Sequence, residues 1–355
     1  MLPLQALTPR SLLRALPEVA LEDARKILSA VHRDLPIDVP LKGVRRAALD
    51  AVRRAGCIPS LEVVREVASS LDPFVKLALR TPDGTVIEAV RIPLEKAGRF
   101  SVCVSSQAGC ALGCVFCATG RMGLQRNLET WEIVEQVRVV RRTLHAPERA
   151  RIHGVVFQGM GEPLANLDHV LDALAVLTEP SALAIDARKI TVCTSGLPTG
   201  IARLAREAPK VRLGLSIGSA RPSVRRTLMP IDVAHPLGDV INACVEHAKL
   251  TGLAPMWAVT PLAGVNDTEE DAVRLAELAR SFLERTGLRP RISLIPYNSI
   301  LGSSPAGAVD PFARSSASGE AAFREAIRRA GFGTHKRYSG GGDVAAGCGQ
   351  LAGSP

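Results

Sequence analysis

The chain reads as an α/β protein: a partial (β/α)6 barrel core behind a small helical N-terminal domain. Three observations predict this. Strand-like and helix-like stretches alternate through residues 99–335, a β-hairpin signature precedes them over 73–98, and residues 1–72 carry only helical spacing. The remaining residues, 336–355, form a glycine-rich C-terminal segment.

Taken in order, Thr8-Pro9 opens a helix with proline at its first position, and Leu12, Leu13, Leu16 and Val19 or Ala20 recur at helical spacing. Lys42, Arg45, Arg46, Arg53 and Arg54 crowd together against a single acid, Asp50, as either an RNA-backbone face or a solvated helix surface. From Phe74 the pattern alternates: Val75-Lys-Leu-Ala-Leu, the turn Thr81-Pro-Asp-Gly, then Val86-Ile-Glu-Ala-Val-Arg-Ile, a hairpin. Glu88 sits inside the second run, where a carboxylate is unexpected on a buried face and ordinary on a solvent-facing one. Beyond residue 127 the spacing predicts helices over 128–145 and 167–177, a short one near Ile201, then 237–250 stopped by Gly252, one from Asp267 or Thr268 to Gly287, and 320–330. Between them fall strands at 154–158, 189–193, 211–216, 255–259 and 291–295. Six strands in all make the partial barrel. Polar residues at the strand ends put its reactive face at the carboxyl edge. Ser299 to Ser318, rich in Ser, Gly, Ala and Pro, reads as a loop, either a lid that orders on substrate or an idle insertion.

A chain of 355 residues can bury a large core. No apolar run reaches the roughly 18 residues of a membrane span, and Met-Leu-Pro-Leu-Gln-Ala lacks the charged and apolar regions of a signal peptide, so a cytoplasmic location is expected. Eight cysteines in a reducing compartment argue for metal or redox chemistry. The formal charge of +9 suggests a polyanionic partner, nucleic acid first, although an arginine-rich composition gives the same number. Aromatic residues make up only 3%, which argues against a wide base-stacking platform.

The most informative stretch runs from Ser105 to Gly120 and contains Cys110, Cys114 and Cys117 spaced C-x3-C-x2-C. Three thiolates in so short a loop suit a cubane cluster, binding three irons and leaving the fourth open for chemistry. Structural zinc needs four ligands, usually as paired units, and no second pair exists. Three unrelated buried cysteines are the remaining reading. Gly159-Met-Gly-Glu-Pro163 follows a strand, where glycines let backbone approach a ligand and Glu162 can accept from an ammonium group. Cys193-Thr-Ser195, Ser216 and Asn298 add polar groups at other strand ends.

These motifs, with Cys103-Val-Ser-Ser-Gln-Ala-Gly before the cysteines and Gly347-Cys348-Gly-Gln-Leu351 at the end, resemble the RlmN/Cfr family of radical S-adenosylmethionine RNA (adenine) methyltransferases. The resemblance runs from about Val86 to Leu351 and is only loose over the first 70 residues. It implies a [4Fe-4S] cluster on Cys110, Cys114 and Cys117. It also implies two S-adenosylmethionine molecules per turnover, bound through Gly161, Glu162, Cys193, Ser195, Ser216, Ile217, Gly218 and Asn298. By the same resemblance, one cofactor methylates Cys348, a radical made from the second activates that methyl, Glu88 removes the ring proton, and Cys103 releases the product through a transient disulfide. The implied product carries a methyl at adenine C2, with C8 the alternative, in ribosomal RNA and as a second candidate transfer RNA. The implied partners are RNA and an electron donor such as flavodoxin or ferredoxin, with a monomeric protein and no membrane.

Three departures stand out. The family usually has serine at Cys193 and Ser-Leu-His at Ser216-Ile-Gly218, and Arg337-Tyr-Ser-Gly-Gly-Gly-Asp343 is richer in glycine than its family counterpart. Two rival functions stay open: a radical enzyme of the same fold with another substrate, for which Cys103 and Cys348 would be dispensable, and a non-catalytic iron-sulfur protein whose cluster would ignore S-adenosylmethionine. Cys57 and Cys244 lack such context and read as small hydrophobes.

Overall fold

The computed structural model describes residues 1–144, 151–300, 310–336 and 339–353. Residues 301–309 of the expected loop at 299–318, with Arg337 and Tyr338, lie outside them.

The N-terminal unit packs three helices, α1 (Pro9–Ala15), α2 (Leu21–His32) and α3 (Arg46–Ala55), around Leu4, Leu12, Ala24, Ile27, Leu28, Leu49 and Val52. Thr8 caps α1 by accepting from the Ser11 N–H, and Pro9 takes the first turn, where a missing N–H costs nothing. Residues 62–68 correct the all-helical reading of this region. Glu62–Ala68 is a strand (β1), in which Val63, Val64 and Val67 favour extended backbone, and it forms an edge of the main sheet.

Among the described residues that sheet has ten strands. β1 pairs antiparallel with β2 (Val75–Arg80), and β2 with β3 (Val86–Pro93), around the expected Thr81–Thr85 turn. β3 runs antiparallel to β4 (Arg99–Val104), where the parallel core starts. The chain then leaves the sheet for a small hairpin, β5 (Gln107–Cys110) with β6 (Gly123–Asn127), enclosing the short helix α4 (Ala118–Met122). None of these three was legible, because each is too short to show a period.

From there strands and helices alternate: α5 (Thr130–Arg142), β7 (Arg151–Phe157), α6 (Leu167–Thr178), β8 (Ile190–Thr194), α7 (Pro198–Glu207), β9 (Arg212–Ser216), α8 (Pro222–Leu228) and α9 (Leu237–Thr251). β10 (Met256–Val259), α10 (Glu269–Thr286), β11 (Arg291–Leu294), α11 (Ala317–Arg329) and β12 (Thr334–Lys336) complete them. β4, β7, β8, β9, β10 and β11 lie side by side and parallel, the six expected strands, and β12 adds a short seventh. Helix ends follow their caps: Thr268 and Asp271 form a capping box for α10, while Gly252 and Gly287 close α9 and α10 in the left-handed conformation. Trp257 of β10 packs edge-on against Phe282 of α10, with ring centroids 5.4 Å apart, burying both in the core.

Candidate active site

The parallel strands end along one edge, and the loops leaving them enclose two adjoining chambers. The first is lined by Cys110, Cys114 and Cys117 with Gly161, Glu162, Ser195, Ser216, Gly218, Thr260 and Tyr297. The β5–β6 hairpin carries the cysteine loop, and its closure depends on Gly109, whose φ of +77° suits glycine and whose α-carbon faces the Gly123 carbonyl too closely for any side chain. Burial, with mutual repulsion of the thiolates, pushes the Cys110 thiol up to about 11 and Cys114 to about 12, and burial raises Cys117 as well. Among the described residues no three such side chains converge on the position of a single ion.

Glu162 is 3% exposed. Its carboxylate accepts from the Leu164 N–H at 3.0 Å and the Ser195 N–H at 2.8 Å, and no cation among the described residues pairs with it. Burial raises its pKa, opposed by those hydrogen bonds. Gly161 has a φ of +97°, and a β-carbon there would lie 2.5 Å from that of Gln107. Gln107, which the sequence did not flag, accepts from the Glu162 N–H at 2.8 Å and donates to Asn127 at 2.7 Å, locking the cysteine hairpin to the Gly-Glu turn.

Arg225 was also missed, and its one sequence signal is that it shares the buried side of α8 with Leu228. Fully buried, it pairs with Asp232 at 2.9 Å and donates to the carbonyls of Ser195 at 2.8 Å and Ser216 at 3.0 Å, bracing the ends of β8 and β9. It also reaches the Ile217 carbonyl. Met229 sits so close to Gly218 that a side chain there would collide with its sulfur, which accounts for the absent histidine. Asn266 donates to the Gly218 carbonyl at 2.7 Å.

The second chamber is lined by Cys103, Ile92, Phe74, Gly347 and Cys348. Cys348, Leu351, Gln158 and Ile295 line both chambers. Cys348 and Cys117 line the same chamber. Gln158, at the end of β7, is a polar strand-end residue that the edge rule could have found. The tail is fastened by Ala118 N–H to the Gly349 carbonyl at 2.7 Å and Thr119 Oγ1 to the Leu351 carbonyl at 2.6 Å.

Three sequence candidates fall outside the first chamber's wall. Cys193 turns toward Gly214 of the neighbouring strand and Ile217 is fully buried in the core. Asn298 donates to Ser339 Oγ at 2.8 Å and the Cys348 carbonyl at 3.2 Å, so its amide holds the tail. Glu88 is on a buried face, 1% exposed, with Lys76 3.1 Å away and the N–H groups of Ala352 and Gly353 donating at 2.7 and 3.3 Å. It lines a separate polar cavity with Arg65, Ser299 and Gln350. None of the eight cysteines is joined in a disulfide, so the implied Cys103–Cys348 bond is not a feature of this state.

Comparisons with known proteins agree with this geometry. Residues 104–279 match the Radical SAM superfamily model. A probable RNA methyltransferase of Sorangium cellulosum is 59% identical over 349 residues, covering 94% of this chain and 88% of the relative. The dual-specificity RNA methyltransferase RlmN of Syntrophobacter fumaroxidans is 43% identical over 269 residues, 76% of this chain and 73% of its own. A radical SAM methyltransferase from Sphaerobacter thermophilus has a crystal structure that superposes with a TM-score of 0.86 at 35% identity, each chain covered fully.

Proposed function

The chain belongs to the radical SAM RNA methyltransferases of the RlmN type, and from that premise we propose that it methylates an adenine ring carbon, C2 in preference to C8, through a methyl group carried on Cys348. We extend the substrate to ribosomal RNA and to transfer RNA, in line with the relatives named dual-specificity. The observation that carries the reading is the place of Cys348 on the wall shared by the cysteine chamber and the Cys103 chamber.

Membership of the family implies a [4Fe-4S] cluster and S-adenosylmethionine, and the first chamber fits both. Three thiols, two buried and Cys117 half-buried, that repel one another as anions gain from bound iron, and cubane ligands each take a different iron, so they need not meet at one point. A buried carboxylate without a cation suits the cofactor's ammonium group. Cys110, Cys114 and Cys117 would hold the cluster, Gly161 and Glu162 the methionine end of the cofactor, and Ser195 and Ser216 its other polar groups.

When bound, the cluster supplies the electron that splits S-adenosylmethionine and opens radical chemistry at the carried methyl. Cys348 first takes that methyl as a thiolate by displacement at a sulfonium. That methyl would give up one hydrogen atom to the radical derived from the second S-adenosylmethionine, its carbon would bond to adenine, and the surplus electron would return to the cluster, a route this ring carbon requires because it is too poor a nucleophile to attack a sulfonium itself. Glu88 accepts the ring proton, which requires Ala352 and Gly353 to leave its carboxylate. The Cys103 thiolate attacks the Cys348 sulfur; the S–S bond forms as the C–S bond breaks, and the freed carbon takes a proton to become the product methyl. Two S-adenosylmethionine molecules are consumed, and a flavodoxin or ferredoxin would reduce the protein. We place this activity in a cytoplasmic monomer, and no helix among the described residues is long and apolar enough to cross a membrane.

Anaerobic reconstitution followed by incubation with total RNA and nucleoside mass spectrometry tests the reading. It expects 2-methyladenosine, whereas 8-methyladenosine alone would overturn the regiochemistry and unmodified RNA the function.

A further inference from the structure

The amino edge of the parallel sheet, opposite both chambers, carries a row of cations. β4 begins at Arg99, β7 at Arg151 and β9 at Arg212, while Lys189 immediately precedes β8, and these four strands are neighbours in the sheet. Arg99 and Arg151 stand directly opposite in the register. Adjacent strands are about 4.8 Å apart, so this pair packs like charges at a spacing that opposes folding, while the stagger of the strands sets Lys189 beside Gly154 and Arg212 level with Val156. None of these four side chains has an ion-pair partner among the described residues.

Arg151 and Lys189 also line an open cavity of about 440 Å³ with His153, Arg141 and Asp186. His153 feels Arg99, Lys189 and Arg151 together, which with burial hold its pKa below the usual histidine value, and Asp186 alone opposes them. That acid is already engaged by Arg188 at 3.0 Å. In the N-terminal basic cluster, by contrast, Arg45 pairs with Asp23 at 2.6 Å, and Asp50 faces Arg53 at 3.2 Å and Arg46 at 3.7 Å. The strand-edge row, more than that cluster, is where cationic charge goes unmatched.

We propose that this amino edge is a second RNA-binding surface, gripping the phosphate backbone of the folded substrate far from the target base. Arg99, Arg151 and Lys189 gathered around His153, with Arg212 further along the stagger, suit a polyanion with several charges better than a single phosphate. β7 spans seven residues, roughly 20 Å from one edge to the other, so a large folded RNA can engage both edges while a short hairpin seated at the carboxyl edge cannot. The proposal rests on the family reading only in taking RNA as the substrate, and it is independent of the target base and of the methyl carrier.

The test compares the reconstituted enzyme with a triple variant, Arg99→Gln, Arg151→Gln and Lys189→Gln. A control of equal charge change, Arg203→Gln, Arg274→Gln and Arg328→Gln, alters exposed arginines that are already ion-paired. Dissociation constants for a folded transfer RNA transcript and for a short hairpin cut from it are measured across a potassium chloride series. The triple variant should lower the slope of log K against log salt by about 2 to 3 for the folded transcript, with the hairpin and the control unchanged. Equal slopes in variant and wild type, or an equal loss in the control, would overturn the proposal. So would a drop in melting temperature with RNA binding intact, which assigns the row to offsetting helix C-termini. Slower reduction by an acidic flavodoxin with RNA binding intact would overturn it in favour of the electron donor. Nucleoside analysis of the same samples reports separately on the methylation chemistry.

Discussion

The two chambers share a wall but are built in different ways. The first chamber is made where successive strands end, from short motifs whose neighbours in sequence are also neighbours in space. Its polar groups are fixed by backbone hydrogen bonds, as Glu162 is by Leu164 and Ser195. The second chamber brings Phe74, Ile92 and Cys103 against Gly347 and Cys348, across some 250 residues of chain, and its far wall is a tail held by a few hydrogen bonds. The difference teaches that the first chamber rests on strand ends fixed by backbone hydrogen bonds, whereas Cys348, the proposed methyl carrier, owes its place to a tail held by a few long-range bonds.

The sharpest break in that comparison comes from the cluster loop. Cys114→Ala should leave the protein without stable iron and without any cleavage of S-adenosylmethionine, because two thiolates cannot hold a cubane in water. Full iron content in that variant would remove Cys114 as a ligand. The two cysteines of the second chamber should fail differently from the cluster ligands and from each other. Cys348→Ala should keep its iron yet give neither product nor adduct, whereas Cys103→Ala should purify with RNA covalently attached, surviving denaturant and high salt. RNA-free behaviour of both, with iron intact, favours a radical enzyme of different chemistry.

Smaller effects separate holding the cofactor from holding the tail. Glu162→Ala should assemble its cluster and weaken cofactor binding by one to two decades, since a charge-assisted hydrogen bond contributes roughly 1.5 to 3 kcal/mol. An unchanged dissociation constant by calorimetry returns Glu162 to a structural role. Asn298→Ala is expected to lose two bonds to the tail, about 0.5 to 1.5 kcal/mol each, slowing turnover a few-fold at unchanged cofactor affinity. Lost affinity there would move Asn298 into the cofactor chamber, where the sequence alone had put it.

Much of this was legible before any coordinates. The six parallel strands, the Thr268 and Gly287 helix ends and the Thr81–Thr85 turn follow from periodicity, caps and turn chemistry, which act over a few residues. The cysteine spacing and the Gly-Met-Gly-Glu turn are local as well, so two walls of the first chamber could be read from the chain. Strand Glu62–Ala68 was not legible, because its alternation is exposed and its pairing partner supplies the reason for it. Gln107 and Arg225 were invisible for a related cause: a glutamine or arginine becomes a brace only when distant carbonyls and N–H groups arrive around it. Local forces determined the elements and the cysteine loop. Only tertiary packing decided that Glu88 lies under Ala352, that Asn298 holds the tail, and that Cys348 stands between the two chambers, since each depends on bringing together parts of the chain that no short-range rule connects.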